Sequence, residues 1–283
     1  MSTAYVGAVV VVYGQELSEV EPLVVELLRD GVHEVVLVDN GSCVSHQDRV
    51  QREGFTYTVV STGKNIGFGR AVNLGASYLS NFDYLVVSNP DILMTSSVVS
   101  ELLRVLDTSP QVAIAAPKIF TATGDRYPSV RRFPSPFVSL VHGFLGLFWR
   151  ENPVSKWYRL DGVDLDRPVN APWVSGAFFV IRGSSFRLVG GFDPKYFLYC
   201  EDVDLCERVE RLKFEVIYYP KVAVVHSQGE SSARRPIFSL YHHHRSMWLY
   251  AKSKNSFGPL LILEVLGISL RFLTSLLVRK VSS

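Results

Sequence analysis

From residue 6 to residue 116 the chain alternates short, β-branched apolar runs with longer amphipathic stretches, a rhythm that few architectures satisfy. The runs VGAVVVVY, EVVLVD, YTVVS, YLVVS and VAIAA are almost continuously apolar, as strands buried on both faces are. SEVEPLVVELLRDG, closed by Gly31, and SSVVSELLRVLD read as helices, as does GFGRAVNLGASYLS with its small or apolar Ala71, Leu74, Ala76 and Leu79. Such alternation covers both faces of a parallel sheet with helices. The expected class is α/β, with a mostly parallel central sheet flanked by helices. The first run lacks a basic leader and a cleavage site, so it is read as a strand and not a signal peptide.

Residues 117–172 break the rhythm. Pro117, Pro128, Pro134, Pro136, Pro153, Pro168 and Pro172 punctuate an aromatic stretch without clear periodicity, the mark of a lid or insertion beside a site. Regularity returns in WVSGAFFVIRGSSFRLVGGF, a strand and a short helix, then in an acidic helix start and the strand FEVIYYP. The expected organisation is one domain in two halves, 1–116 and 117–255, followed by a C-terminal segment, 256–283. An apolar content of 47% in 283 residues supplies the core. A net charge of +2 does not favour nucleic acid as a partner. Cys43, Cys200 and Cys206 form no CxxC pair, which argues against a disulfide framework or structural zinc and for a reducing cytosol.

The run LLILEVLGISLRFLTSLLV (260–278) has the length of a bilayer span, but Glu264 and Arg271 interrupt it. These two can share one helix face, with Leu and Phe over the rest and Arg279 and Lys280 following. The expected reading is a helix lying in the membrane interface. A span, and a core or homodimer helix, are the alternatives.

The residues that carry chemistry follow strands. Asp39 ends the second strand in VLVDNGS, where a carboxylate can accept the N3–H of uracil or thymine or a ribose hydroxyl, or simply start an Asn-Gly turn. GKNIGFGRAVNLG (63–75) places glycines before a helix, as a phosphate loop does, without matching GxxxxGK[ST]. Asp91 in SNPD follows the fourth strand and suits a Mg²⁺ or Mn²⁺ ion that takes its other ligands from a diphosphate, or else caps the next helix. His226 ends KVAVVH and is a second candidate ligand. The His242–His244 run is too compact for convergent ligation and is expected at the surface or against lipid, with Arg245 beside it as a diphosphate contact. YFLYCEDVDLCERV sets Glu201, Asp202 and Asp204 close together, where they must be solvated, paired, metal-bound or used to take protons. Asp204 is expected to face away and pair with Arg208.

In their order, DNGS, NIGFGRAVNLG, NPD, GAFFVIRGSSFRLVGGFDPKYFLYCEDVDLCER and HSQGES resemble the inverting glycosyltransferases of family 2, in particular the bacterial rhamnosyltransferase-like branch, as far as about Lys252. The resemblance implies a glycosyltransferase-A-type domain that moves a sugar from a nucleotide-diphospho-sugar to a polyprenyl-diphosphate-linked saccharide. Cell-wall or surface polysaccharide synthesis, at the cytoplasmic face of the cell membrane with the enzyme peripheral to it, is the implied setting. L-Rhamnose from dTDP-L-rhamnose is the implied donor, with UDP-galactofuranose, UDP-N-acetylglucosamine and UDP-glucose as alternatives. Asp39 would hold the pyrimidine, with Asn65, Gly67 and Asn89 near the nucleotide; Asp91 and His226 would hold Mg²⁺ or Mn²⁺. Asp202 would be the base, and Glu201, Trp173 and Gly176 would face the acceptor. One departure stands out: Asn89 occupies the place of the first acid of an acid-x-acid metal motif, and its neutral amide should weaken the ion or leave that contact to water. A nucleotide-sugar-binding protein without turnover is the reading from another class, and it requires a purely structural acidic pair. A nucleotidyltransferase would need a Gly-rich basic loop that VVYGQELSEV lacks.

Overall fold

Every residue of β1 (Val6–Val12) is buried, as a strand covered on both faces must be. The computed structural model describes residues 4–41, 45–52, 54–94, 97–135, 151–227 and 236–254, with parts of 138–149 and 258–274. After β1 come α1 (Leu17–Arg29), β2 (Glu34–Asp39), β3 (Ser45–Arg52), β4 (Phe55–Thr62), α2 (Phe68–Tyr78), β5 (Tyr84–Ser88), β6 (Ile92–Met94), α3 (Val98–Thr108) and β7 (Val112–Thr121). The second half adds β8 (Val130–Arg131), α4 (Pro153–Arg159), β9 (Val169–Asn170), β10 (Trp173–Val174), β11 (Phe178–Arg182), α5 (Gly183–Leu188), α6 (Glu201–Arg211), β12 (Glu215–His226) and α7 (Pro236–Lys254).

One sheet unites both halves in the order β3-β4-β2-β1-β5-β11-β7-β12-β6, with β9 beside β12. Strands β4, β2, β1 and β5 are parallel neighbours, as are β7 and β12. Between these sets β11 runs antiparallel to both β5 and β7. Six strands share one direction, whereas β11 among them and β3, β6 and β9 run against their neighbours, so the sheet is mixed around a parallel majority. Two details escape the apolar pattern: β3, the edge strand SHQDRVQR, is polar, and β12 is one strand where the sequence suggests two. Pro220 sits where its register against β7 shifts, between Tyr219 and Ala223, a place in a strand that tolerates proline.

Alternate residues of β1 serve different cores. Val9 and Val11 pack with Ala71, Val72 and Phe192, whereas Ala8, Val10 and Val12 pack with Val20, Val24, Leu102 and Leu106 of α1 and α3. Asp30, just past α1, accepts from the amides of Val99 (2.6 Å) and Ser100 (3.3 Å), so its carboxylate caps α3 and locks the two helices on that face.

On the other face, α2 lies close to the sheet because Gly75 has no side chain. A Cβ there would sit 2.6 Å from Val9 Cγ1 and 2.8 Å from Val38 Cγ2. In an exposed helix Gly→Ala is worth about 1 kcal/mol of added stability. Here overpacking dominates, and Gly75→Ala should destabilise the fold by about 1–3 kcal/mol in a urea titration. A gain in stability would mean that α2 stands further from the sheet.

Candidate active site

Register places the donor-side residues along one edge. Val12 pairs with Asp39 and Val10 with Ser88, so the carboxyl ends of β2 and β5 flank that of β1, the position where open α/β sheets bind ligands. The Asp39 carboxylate accepts from the Gly41 amide at 3.0 Å and the Ser61 hydroxyl at 3.1 Å, which fixes its orientation. Asn40, buried, ties the next loop down: its Oδ1 accepts from the Ile66 amide at 2.8 Å and its Nδ2 donates to Asn65 Oδ1 at 3.1 Å. Asn65 Oδ1 also accepts from the Gly67 amide at 2.9 Å. Gly67, at φ +91°, leaves no room for a side chain, since a Cβ would lie 2.4 Å from the Phe197 carbonyl oxygen. That same oxygen accepts from the Phe68 amide at 3.0 Å. The first amide of α2 therefore holds protein backbone and is not aimed at an anion.

The fourth-strand motif and the last strand converge. His226 Nε2 lies 3.1 Å from Asp91 Oδ1 and 3.1 Å from Asn89 Nδ2, while the Ser227 amide donates to the Asp91 carbonyl at 3.0 Å. With the Asn89 amide N–H toward the ring no proton arrangement suits both contacts: a bare Nε2 repels the carboxylate, and a protonated one opposes the amide N–H. With the amide turned over, a protonated Nε2 can donate to both oxygens. His226 Nδ1 is buried with no partner among the described residues. A cation fits the three groups, with Nε2 bare and the amide turned over to present Oδ1. Two donors about 2.1 Å from one ion at right angles are about 3 Å apart, as found here. Asp91 and His226 are the two titratable groups of this set, and no group of three or more His, Cys, Asp or Glu able to hold a metal occurs among the described residues.

A short backbone path leads from this group to the acidic pair. The Asn89 amide donates to the Ala177 carbonyl at 2.8 Å, and the Gly176 amide donates to Asp202 Oδ2 at 2.9 Å. Tyr127 spans the same gap, its ring edge-on to His226 with centroids 5.8 Å apart and its hydroxyl on Ser175. Ahead of α6, Tyr199 and Cys200 are both left-handed, at φ 67° and 64°, a conformation that costs about 1–3 kcal/mol per residue and needs outside support. Support comes from α2 and α7. Asn73 clasps Phe192 by both its amide (2.9 Å) and its carbonyl (2.8 Å), Arg70 donates to the Pro194 carbonyl at 2.8 Å, and Ser246 donates to that of Leu198 at 2.8 Å.

The two carboxyls meet different surroundings. Burial raises both. Asp202 is drawn back toward ionisation by the amides of Gly176, Val203 and itself and by the charge of Arg131. Glu201, 6% exposed, has an unpartnered Oε2, and burial followed by the nearby Asp202 charge pushes it up to about 8. Glu201 is the acid at neutral pH, and only Asp202 has donors and a cation that favour its charged form, a difference of the kind active sites exploit. Asp204 turns away and pairs with Arg208 Nε at 2.7 Å, as the helix spacing predicts.

The remaining candidates are dispersed. Trp173 is 7% exposed and donates its indole N–H to the Arg132 carbonyl at 2.8 Å. Gly176 lies against Asp202 and Phe68, each 3.4 Å from where its Cβ would be. Arg245 is exposed on α7 with Nη1 3.5 Å from the Lys195 carbonyl, and no described contact joins it to the Asn89–Asp91–His226 group. The expectation of surface histidines is corrected: His242 stacks on Phe197 at 4.2 Å, His243 meets Tyr199 at 5.2 Å and His244 is buried, because α7 packs on the segment that leads to Glu201. Asn40, Asn73, Tyr127 and Arg131 escape a reading of motifs. Asn73 alone left a signal, a polar residue between the apolar positions of a helix.

The profile of Glycosyl transferase family 2 matches residues 8–182. The chain belongs to this family. It is 33% identical over 233 residues to the N-acetylglucosaminyl-diphospho-decaprenol L-rhamnosyltransferase of Mycobacterium tuberculosis (strain ATCC 25618 / H37Rv), covering 78% of this chain and 75% of that one. It is 28% identical to the rhamnosyltransferase WbbL of Escherichia coli (strain K12), covering 77% and 81% respectively. The fold is similar to that of the mannosyltransferase PcManGT from Pyrobaculum calidifontis in complex with GDP-Man and Mn²⁺, with TM-score 0.56, 14% identity, all of this chain and 76% of that one. GalNAc-T7 with UDP, GalNAc and Mn²⁺ gives TM-score 0.56 at 16% identity over 79% of this chain and 43% of that one. The fold is thus that of the glycosyltransferase-A enzymes, and the protein is a glycosyltransferase related to bacterial rhamnosyltransferases.

Glu201 generates a pH test. Its carboxyl holds a proton to about pH 8 in the folded chain against 4.5 unfolded. Between these values the folded state binds the extra proton, so stability falls as pH rises through the window and levels off above it. Glu201→Gln should match the native chain near pH 4.5 and exceed it at pH 8.5 by on the order of 2 kcal/mol in denaturant midpoints. A difference independent of pH would refute the buried-acid assignment.

Proposed function

We propose that the chain is an inverting hexosyltransferase that moves L-rhamnose from dTDP-L-rhamnose to a diphospho-linked lipid saccharide in surface polysaccharide synthesis. The donor sugar and acceptor class follow the names of the relatives at 33% and 28% identity. The observation that carries the chemistry is the Asp202 carboxylate, fixed by the Gly176 amide two hydrogen bonds away from Asn89. In this reading Asp39 holds the pyrimidine, Asn65 and Gly67 shape the loop beneath the nucleotide, and Asp91 and His226, with the Asn89 amide, hold a divalent cation. That ion, when bound, neutralises charge developing on the leaving diphosphate. Asp202 takes the proton of the acceptor hydroxyl, and Glu201, protonated, donates a hydrogen bond to the same sugar. Trp173 and Gly176 form the wall behind it. The imidazole nitrogen favours Mn²⁺ over Mg²⁺, which prefers oxygen ligands alone.

We further propose that the enzyme works peripherally at the inner membrane face. No helix among the described residues is long and apolar enough to cross a membrane. Ile262, Leu266 and Leu270, spaced by one turn, are 63%, 61% and 52% exposed and form an apolar stripe suited to the interface. Arg271 does not join the lipid side as expected; it is half-buried toward His243 and His244. Glu264, Arg279 and Lys280 lie outside the described residues.

Asp202→Asn should lower the rate of nucleotide diphosphate release with dTDP-L-rhamnose by about 10² to 10⁴ while donor affinity survives; near-native turnover would reject Asp202 as base. Asn89→Asp supplies the missing charge and should lower the Mn²⁺ concentration for half-maximal activity about ten-fold. An unchanged Mn²⁺ requirement would place Asn89 away from the ion. Leu266→Glu with Leu270→Glu should abolish flotation with anionic liposomes at unchanged circular dichroism, and persistent flotation would locate membrane contact elsewhere.

A further inference from the structure

Beside Asp202 the structure gathers positive charge that the chemistry above leaves unused. The Arg131 guanidinium stands 5.7 Å from the Tyr158 ring and 5.8 Å from the Trp173 ring, and bonds the Tyr158 hydroxyl. Its Nε is buried without a partner. Among the described residues neither Arg131 nor Arg271 makes an ion pair with a carboxylate. His142 meets at 5.0 Å the same Tyr158 ring that Arg131 faces, and both arginine charges act on His142 and on His243, so arginines from β8 and from the C-terminal segment approach one place. His243 packs edge-on to Tyr199 and to His244, and His244 meets Phe272, the neighbour of Arg271, at 5.3 Å. Burial first, and then the neighbouring cations, hold His142 and His243 down to about 4, so both are neutral N–H donors at neutral pH. The carboxylate within Arg131's reach is Asp202 itself.

Asp202 is the one carboxylate near this pair of half-buried cations, which leaves an excess of positive charge that an anion brought in from outside relieves. The guanidinium fork suits phosphate oxygens. Position decides which phosphate. The Asn89–Asp91–His226 group reaches Asp202 through Ala177 and Gly176, whereas Arg131 comes from β8 and Arg271 from the segment bearing the exposed Ile262, Leu266 and Leu270. Arg131 thus adjoins Asp202, and Arg271 adjoins Leu270 of the apolar stripe in the chain. We propose that Arg131 and Arg271, with the His243 imidazole, form the subsite for the diphosphate of the acceptor, its sugar toward Asp202 and its lipid toward the stripe. The proposal rests on the acceptor class above and is independent of the donor sugar.

Binding of farnesyl diphosphate, inorganic diphosphate and dTDP to the full chain, followed by calorimetry without donor or turnover, tests it. Arg271→Gln and Arg131→Gln should each weaken farnesyl diphosphate at least ten-fold and leave dTDP unchanged. Arg131→Lys should recover part of the loss. Because Arg271 lies on the outer helix, its variant keeps the test valid where Arg131→Gln fails to fold. Equal losses for dTDP would assign the arginines to the donor site and overturn the proposal. Unchanged farnesyl diphosphate affinity, or binding of inorganic diphosphate alone, would overturn it as well. Failure of dTDP-L-rhamnose as a donor would leave these binding results intact and touch only the functional reading.

Discussion

Two hydrogen bonds at consecutive residues hold the active site together. The Ala177 carbonyl receives the Asn89 amide, and the Gly176 amide reaches the Asp202 carboxylate. They exist because β11 enters the sheet antiparallel beside β5, which sets Phe178 against Ser88 and leaves the two preceding residues at the carboxyl edge. A parallel strand in that position would bring its own carboxyl end to the edge and send 176–177 to the far side. The reversed strand is thus how the two halves of the chain meet at one point.

The second requirement is to hold a strained turn. Tyr199 and Cys200 adopt left-handed backbone immediately before Glu201, and such strain persists only where neighbours over-determine it. Helix α2 supplies most of the restraint through Phe68, Arg70 and Asn73 on one flank. Helix α7 supplies the rest, stacking His242 on Phe197 and anchoring itself to α6 where Glu207 accepts from Tyr250, Arg211 and Lys254. Motif GFGRAVNLG therefore acts here as a brace between the donor loop and the acidic segment. Its likeness to a phosphate loop arises from the same need for glycine, which in this chain is close backbone approach to Phe197.

The sequence is explicit where one side chain's environment follows from local periodicity. Buried strands β1, β2, β5 and β7 are legible as apolar runs, and Asp39, Asn89 and Asp91 are legible because each follows one. The pairing of Asp204 with Arg208 follows from helix geometry alone. What periodicity cannot carry is strand order and direction, so the insertion of β11 and the proximity of His226 to Asn89 appear only in the fold. The polar edge strand β3 and the bulged passage through Pro220 hide for a related reason: an edge needs no apolar face, and a bulge suspends the ladder that proline would break. Arg131 was invisible because its significance lies in what surrounds it, two aromatic rings and no carboxylate but Asp202.

Glu201 and Asp202, consecutive at a helix start, meet different donors. Successive side chains there diverge by about 100°, so the two, though close enough for the Asp202 charge to act on Glu201, meet different partners. One turns into a space with no donor for its Oε2, and the other turns to the β11 amide and the Arg131 charge. Were they one turn apart on the same face, both would face the same donors and would compete for one proton, as paired carboxylates do. In the proposed reading, separation by direction lets a single segment present an acid and a base to one sugar. The strain at Tyr199 and Cys200 is what aims that segment, and the brace from α2 is what keeps it aimed. The acidic pair at 201 and 202 thus depends for its chemistry on residues more than a hundred positions earlier in the chain.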